Sequence, residues 1–207
     1  MAILKIARMG HPLLRRAAEV VDDLMAPSIH RLIQDMIDTL ADTGGVGLAA
    51  PQVHVSKRIV IFHVPEGRAL SPEEEVEAME RGDGINLKDV SRSVSEAVPM
   101  TVLINPTIEA LDDEIVSGVE GCLSLPGMLG VVPRYKRIRY KAVMPDGSEI
   151  KREASGFHAR VVQHECDHLD GILYPTRMAD LSTFGYSEEM DSSGLLLSEE
   201  IEVDEND

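Results

Sequence analysis

The chain has 207 residues, 43% of them hydrophobic and 27% charged, which suits one globular domain with a sizeable core. No apolar run approaches the ~20 residues needed to cross a bilayer, so membrane spanning is not expected. A net charge of −16, from 36 acids against 20 bases, opposes a phosphate backbone and argues against direct nucleic-acid reading.

The N-terminal Met1 to Arg8 carries no long apolar stretch of the secretory kind and runs straight into Gly10-His11-Pro12, so the expected compartment is the cytoplasm. Ser28 then precedes Ile29, Leu32, Ile33, Met36, Ile37 and Leu40. That spacing predicts an amphipathic N-terminal helix, capped by Ser28 and ended near Gly44-Gly45. Next come Gly45-Val46-Gly47-Leu48-Ala49-Ala50-Pro51-Gln52 and the run Arg58 to Val64, β-branched and apolar enough for a buried strand.

The acidity is unevenly placed. Residues 66–96 hold nine acids and four bases, residues 179–207 hold ten acids and no base, and the remainder is nearly neutral at 17 acids to 16 bases. Both acidic stretches are expected to be solvated appendages that serve solubility. Ser71-Pro72-Glu73 in the first resembles a helix start, and Gly194-Leu195-Leu196-Leu197 in the second is expected to dock on the body or a partner. Strand-like runs resume at Met100–Asn105, Glu114–Val119, Val131–Arg134 and Ile138–Val143, and Pro145-Asp146-Gly147 predicts a turn before Glu149–Arg152. Phe157 to Leu169 reads as a helix with Ala159, Val162, Cys166 and Leu169 on one face and Gly171 as its C-terminal cap. The fold class is α+β.

Chemistry concentrates on that last helix, in His164-Glu165-Cys166-Asp167-His168. Histidines four residues apart share a helix face, so both imidazoles can meet one metal ion while the adjacent Glu165 reaches a water there. A catalytic metal keeps three protein ligands. Cys122, in Glu120-Gly121-Cys122-Leu123-Ser124-Leu125-Pro126-Gly127, is the first candidate for the third, with Pro126-Gly127 expected to form a turn. Glu188 is the rival, at the distance past the second histidine that zinc peptidases of the thermolysin kind use. Two cysteines, Cys122 and Cys166, are too few for a disulfide framework and read as thiols.

Three segments together, Gly45-Val46-Gly47-Leu48-Ala49-Ala50-Pro51-Gln52, Glu120-Gly121-Cys122-Leu123-Ser124 and Gln163-His164-Glu165-Cys166-Asp167-His168, resemble the signature motifs of peptide deformylases in order and rough spacing. The resemblance runs through most of residues 3 to 180. It implies antiparallel β-sheets wrapped around a central helix bearing the HExxH motif, with residues 1–180 as the catalytic domain, an acidic insertion at about 66–98, and 181–207 as an acidic tail. It further implies a hydrolase that removes the N-formyl group from the initiator methionine of nascent polypeptides, releasing formate. By position Cys122, His164 and His168 would bind one divalent metal. Fe(II) is what the resemblance points to; Zn(II), Ni(II) and Co(II) also suit the donors. Glu165 would shuttle the proton, and the Gln52 amide with the backbone N–H of Leu123 would face the oxyanion.

The resemblance also assigns the substrate side. Gly45, Val46 and Gly47 would offer an open edge on which the peptide adds as a strand, Gly127 would lie beside it, and Val46, Phe157, Val161 and the ring of His164 would line the methionine pocket. Many bacterial members have an arginine where Leu129 stands, so preference beyond the first residue is left open. Glu120 and Arg134 are either an ion pair that orients the Cys122 loop or two separate surface charges. N-formylmethionyl nascent peptides are the expected partners, with a transient ribosome contact. The competing readings are a zinc endopeptidase using Glu188 and a non-catalytic metal-binding module.

Overall fold

The computed structural model describes residues 2–65 and 97–193. The helix start expected at Ser71-Pro72 and the apolar Gly194-Leu195-Leu196-Leu197 lie outside them.

Helix α1 spans Pro27–Thr43 and buries Ile29, Ile33, Met36 and Leu40 along one side. Its N-cap is Ala26, with no side-chain cap bond, and Pro27 occupies the first turn. The expected cap at Ser28 is therefore two positions too late: proline, with its fixed φ and missing N–H, suits the helix start better than the serine behind it. Gly44 ends the helix in a left-handed conformation, φ +66°, and its N–H reaches the Leu40 carbonyl.

Five antiparallel strands follow in the order β1-β2-β3-β6-β7, and three more in the order β4-β5-β8. Their ranges are β1 Gly47–Ala49, β2 Ile59–Val64, β3 Val98–Ala110, β4 Ile115–Cys122, β5 Leu125–Tyr135, β6 Arg137–Val143, β7 Glu149–Ser155 and β8 Gly185–Tyr186. Together with few helices this is the α+β architecture of antiparallel sheets that the sequence implies. Strand β2 reads as a continuous apolar run because both its faces are covered. Val60, Phe62 and Val64 pack with Val161, Val162 and Leu169 of helix α2 (Gly156–Leu169), whereas Ile59 and Ile61 pack with Met36 and Leu40 of α1.

Two strands run further than the alternation predicts. β3 continues past Asn105 through a bulge between Ile104 and Thr107, where Asn105 takes φ +53° and its side chain bonds both the N–H and the carbonyl of Val21. β5 passes through Pro126-Gly127, which does not make the expected turn. The reversal falls at Leu123-Ser124, and the register slips from Gly121 opposite Leu129 to Cys122 opposite Leu125. Pro126, Gly127 and Met128 thus bulge out, with Gly127 at φ +75°.

Helix α2 closes with Asp170 as cap and Gly171 beyond it at φ +72°. The N–H groups of Gly171 and Ile172 reach the carbonyls of His168 and Asp167, and the Leu169 carbonyl accepts from the Ala18 N–H and from Arg58 Nη1, so the last turn satisfies its free carbonyls. A Cβ at Gly171 would stand 2.6 Å from the backbone nitrogen of Arg16, so the N-terminal segment crosses there too closely for any other residue. Past α2, the chain returns to the three-stranded sheet. Leu181–Thr183 makes a 3-10 turn, β8 pairs with β5, and helix α3, Ser187–Ser193, buries Met190.

Candidate metal centre

The Cys122 Sγ and one nitrogen each of His164 and His168 lie within 4.8 Å of one another. β4 ends at Cys122 and α2 presents the two histidines one turn apart. Cys122 Sγ stands 3.3 Å from His168 Nε2, and His164 Nδ1 is bonded to Glu120 Oε2 at 2.8 Å, which leaves its Nε2 for the cluster. Burial alone would push the Cys122 thiol up, but the His168 and His164 imidazoles beside it hold it well below the ordinary thiol value. A cysteine sulfur with two imidazoles is a donor set that suits Zn(II), Fe(II), Co(II) or Ni(II), so the residues fit a divalent ion. Glu188 lies on α3 and is not part of the cluster.

Two candidate groups border the cluster. Gln52, 1% exposed, accepts from the Ala49 N–H through Oε1 at 2.8 Å and turns its amide nitrogen to Cys122 Sγ (3.5 Å) and Ser124 Oγ (3.2 Å). Glu165 is 4% exposed, and its Oε2 has no hydrogen-bond partner among the described residues. Burial pushes its carboxyl up to about 7, against the lowering effect of His164 and His168. Gly47 makes room for it, since a Cβ there would stand 2.6 Å from the Glu165 carboxyl carbon.

The other candidates are on the glycine segment, α2 and β5. A Cβ at Gly45 would come within 3.2 Å of the Leu123 side chain, so the glycine segment and the Cys122 loop are in contact. Among the described residues β1 is the edge of its sheet, paired only with β2. Val46 and Phe157 pack against the core cluster that contains Val161. Gly127 sits in the β5 bulge, with Tyr186 of β8 near it, and Leu129 pairs with Gly185 and lies against Gly121.

Glu120 and Arg134 form an ion pair, not two surface charges. Arg134 donates to both Glu120 oxygens, at 2.8 and 2.9 Å, and both side chains are buried. Burial opposes the Glu120 charge, but Arg134 and His164 hold its carboxyl well below the usual carboxylate range. Arg134 also bonds Asp167, which is held from outside by Arg177 at 2.8 and 3.2 Å. Sequence reasoning missed Asp167, Arg177, Ser124 and Arg160, although Arg160 stands four residues before His164 and so on the same helix face.

Residues 3–184 match the family profile described as "Polypeptide deformylase". Among curated relatives, "Peptide deformylase 1" of Bordetella pertussis is 50% identical over 183 residues, 88% of this chain and 92% of that one. "Peptide deformylase 1" of Nitrosomonas europaea is 46% identical over 186 residues, 90% and 93% of the two chains. Among solved structures, the Ehrlichia chaffeensis peptide deformylase superposes with a TM-score of 0.70 at 31% identity, covering 87% of this chain and 90% of that one. A Met-ala-ser-bound class I type b peptide deformylase from Acinetobacter baumannii gives 0.68 at 31% identity, covering 86% and 99%.

Proposed function

Since the chain belongs to the polypeptide deformylase family, and is therefore a metal-dependent hydrolase that removes the N-formyl group from nascent peptides, we propose which of its residues carry each part of that reaction. The observation that supports the assignment is the convergence of Cys122, His164 and His168, with the Gln52 amide at Cys122 Sγ and the buried Glu165 within electrostatic reach of all three. Cys122 Sγ, His164 Nε2 and His168 Nε2 would hold one divalent metal, Fe(II) by the family resemblance, with Zn(II), Ni(II) and Co(II) able to take its place. A bound divalent ion supplies Lewis acidity, acidifying a water and polarising the formyl carbonyl.

The chain's own groups do the rest. Glu165, in its buried carboxylate form, takes a proton from the attacking water and passes it to the departing amine nitrogen, so that formate and a free N-terminus leave. The Gln52 amide N–H and the Leu123 backbone N–H donate to the oxygen that becomes negative. Gly45, Val46 and Gly47, on the open edge of β1, pair with the peptide as an added strand, bordered by Gly127. Methionine fills the apolar space between Val46, Phe157 and Val161. Leu129 gives the downstream groove no guanidinium, so residues after methionine are selected without a fixed cation.

The same reading takes α2 as the central helix enclosed by the two sheets, α1 as the amphipathic N-terminal helix, residues 1–180 as the catalytic domain with an acidic insertion at about 66–98, and 181–207 as its tail. A co-translational substrate places the enzyme in the cytoplasm, in transient contact with ribosomes. The test is formate release from formyl-Met-Ala-Ser by protein loaded anaerobically with Fe(II) or Ni(II), with acetyl-Met-Ala-Ser and Glu165→Ala as controls. Release confined to the formyl peptide and lost in the variant is expected. Undiminished release by Glu165→Ala would overturn its role, and cleavage of internal peptide bonds instead would favour the endopeptidase.

A further inference from the structure

Arg160 stands one turn before His164 on α2, with its side chain 12% exposed. Its Nη1 donates to Glu120 Oε1 at 3.0 Å, to the Val132 carbonyl at 2.7 Å and to the Gly118 carbonyl at 3.3 Å, and its Nη2 donates to the Val116 carbonyl at 2.8 Å. The guanidinium therefore lies over the β4–β5 ladder. Gly118 leaves the space for it: a Cβ there would stand 2.7 Å from Nη2 and 2.8 Å from Cζ.

The three metal-ligand candidates sit on two separate elements, Cys122 on β4 and the histidines on α2. Their spacing depends on how the β4–β5 hairpin is tied to the helix. Arg134, on β5, makes one tie through Asp167, next to His168. Arg160 makes the other through Glu120, whose second oxygen holds His164 Nδ1. Groups that orient a ligand imidazole through its far nitrogen set both its direction and its basicity.

We propose that Arg160 is a positioning residue for the metal centre: it clamps Glu120 and the carbonyls of Val116, Gly118 and Val132 to α2, and so fixes the orientation of His164 and the approach of Cys122 to the two histidines. The proposal rests on the ligand assignment made above. It requires Gly118 as well, because a methyl group there displaces the guanidinium.

The parent protein and the variants Arg160→Met, Arg160→Lys, Gly118→Ala and Cys122→Ser are loaded with Co(II). Three quantities are read: the thiolate-to-cobalt charge-transfer and d–d absorption bands, the rate of cobalt loss to excess chelator, and the melting temperature. Arg160→Met is expected to lose cobalt about 10-fold faster than the parent, with a shifted d–d band. Gly118→Ala should reproduce this, and Arg160→Lys should fall between, since one ammonium cannot span the same acceptors. Parent-like bands and cobalt loss in folded Arg160→Met and Gly118→Ala would overturn the proposal, and so would a lowered melting temperature with unchanged bands and rate. If Arg160→Met does not fold, the lysine and Gly118→Ala variants decide alone. A charge-transfer band that is missing from the parent, or that survives in Cys122→Ser, would overturn the ligand assignment and this proposal with it.

Discussion

The two long helices bury their surfaces in opposite ways. α1 presents Ile29, Ile33, Met36 and Leu40 to the sheet and leaves most of its other side chains at the surface, so its contribution is apolar area removed from water. α2 buries 11 of its 14 residues, among them His158, Gln163, His164, Glu165, Asp167 and His168. Burying so many polar groups is costly unless each is paired, and most are: Gln163 with the Tyr135 backbone, Asp167 with Arg134 and Arg177, His164 with Glu120. On α2, the buried side-chain atoms without a hydrogen-bond partner among the described residues are Glu165 Oε2 and His168 Nδ1. One helix is organised for stability and the other tolerates a cost at the proposed metal centre.

That contrast breaks if a change at the metal-site groups of α2 affects stability alone or a change on α1 affects chemistry. Glu165→Gln is expected to lower kcat by about 10²–10⁴-fold while metal content and melting temperature stay near the parent, because it removes a buried charge without removing its volume. Formate release with metal analysis checks this, and a retained kcat would sink it. Glu120→Ala leaves Arg134 buried with one carboxylate fewer and His164 Nδ1 without its partner. A loss of roughly 3–5 kcal/mol is expected, read by urea unfolding, together with weaker metal retention. Met36→Ala, at a fully buried α1 position, should cost about 2–5 kcal/mol through the cavity it leaves. Its kcat per folded molecule should equal the parent's, and a changed kcat would show that the helices are not separable.

The same contrast governs what the sequence discloses. α1 is legible because apolar periodicity is a local signal, and the pairing of His164 with His168 is legible because four residues make one turn. The β5 bulge is not, since Pro126-Gly127 reads locally as a turn and only its pairing with β4 keeps it in a strand. β3 likewise reads as ending at Asn105-Pro106, and the bonds from Asn105 to Val21, 84 residues away, carry it further. The Glu120–Arg134 pair stays ambiguous in sequence because it depends on the β4–β5 register. Arg160 discloses in sequence only that it shares a helix face with His164; what it binds emerges once the sheet is laid under it, when Gly118 explains itself.

The smallest effect concerns a polar group on α2 that serves packing. His158 lies against Phe62, 5.6 Å between ring centroids, and its Nε2 is 3.3 Å from the Tyr140 hydroxyl. Burial, aided by the charge of Arg152, pushes its pKa down from 6.5 to about 4. In the unfolded chain the imidazole recovers the ordinary value, so as pH falls the unfolded state takes up the proton first. Stability from this group is complete above pH ~6.5, declines between there and about 4, and below that is lost, to a total of up to about 3 kcal/mol. His158→Phe keeps the ring and removes the titration, so the urea midpoint of the variant should fall less than the parent's between pH 7 and 5. That upper half of the window largely precedes the ordinary carboxylate range. Taking the difference between the two proteins at each pH cancels what the other histidines contribute, and parallel curves would show that His158 is not buried in its neutral form.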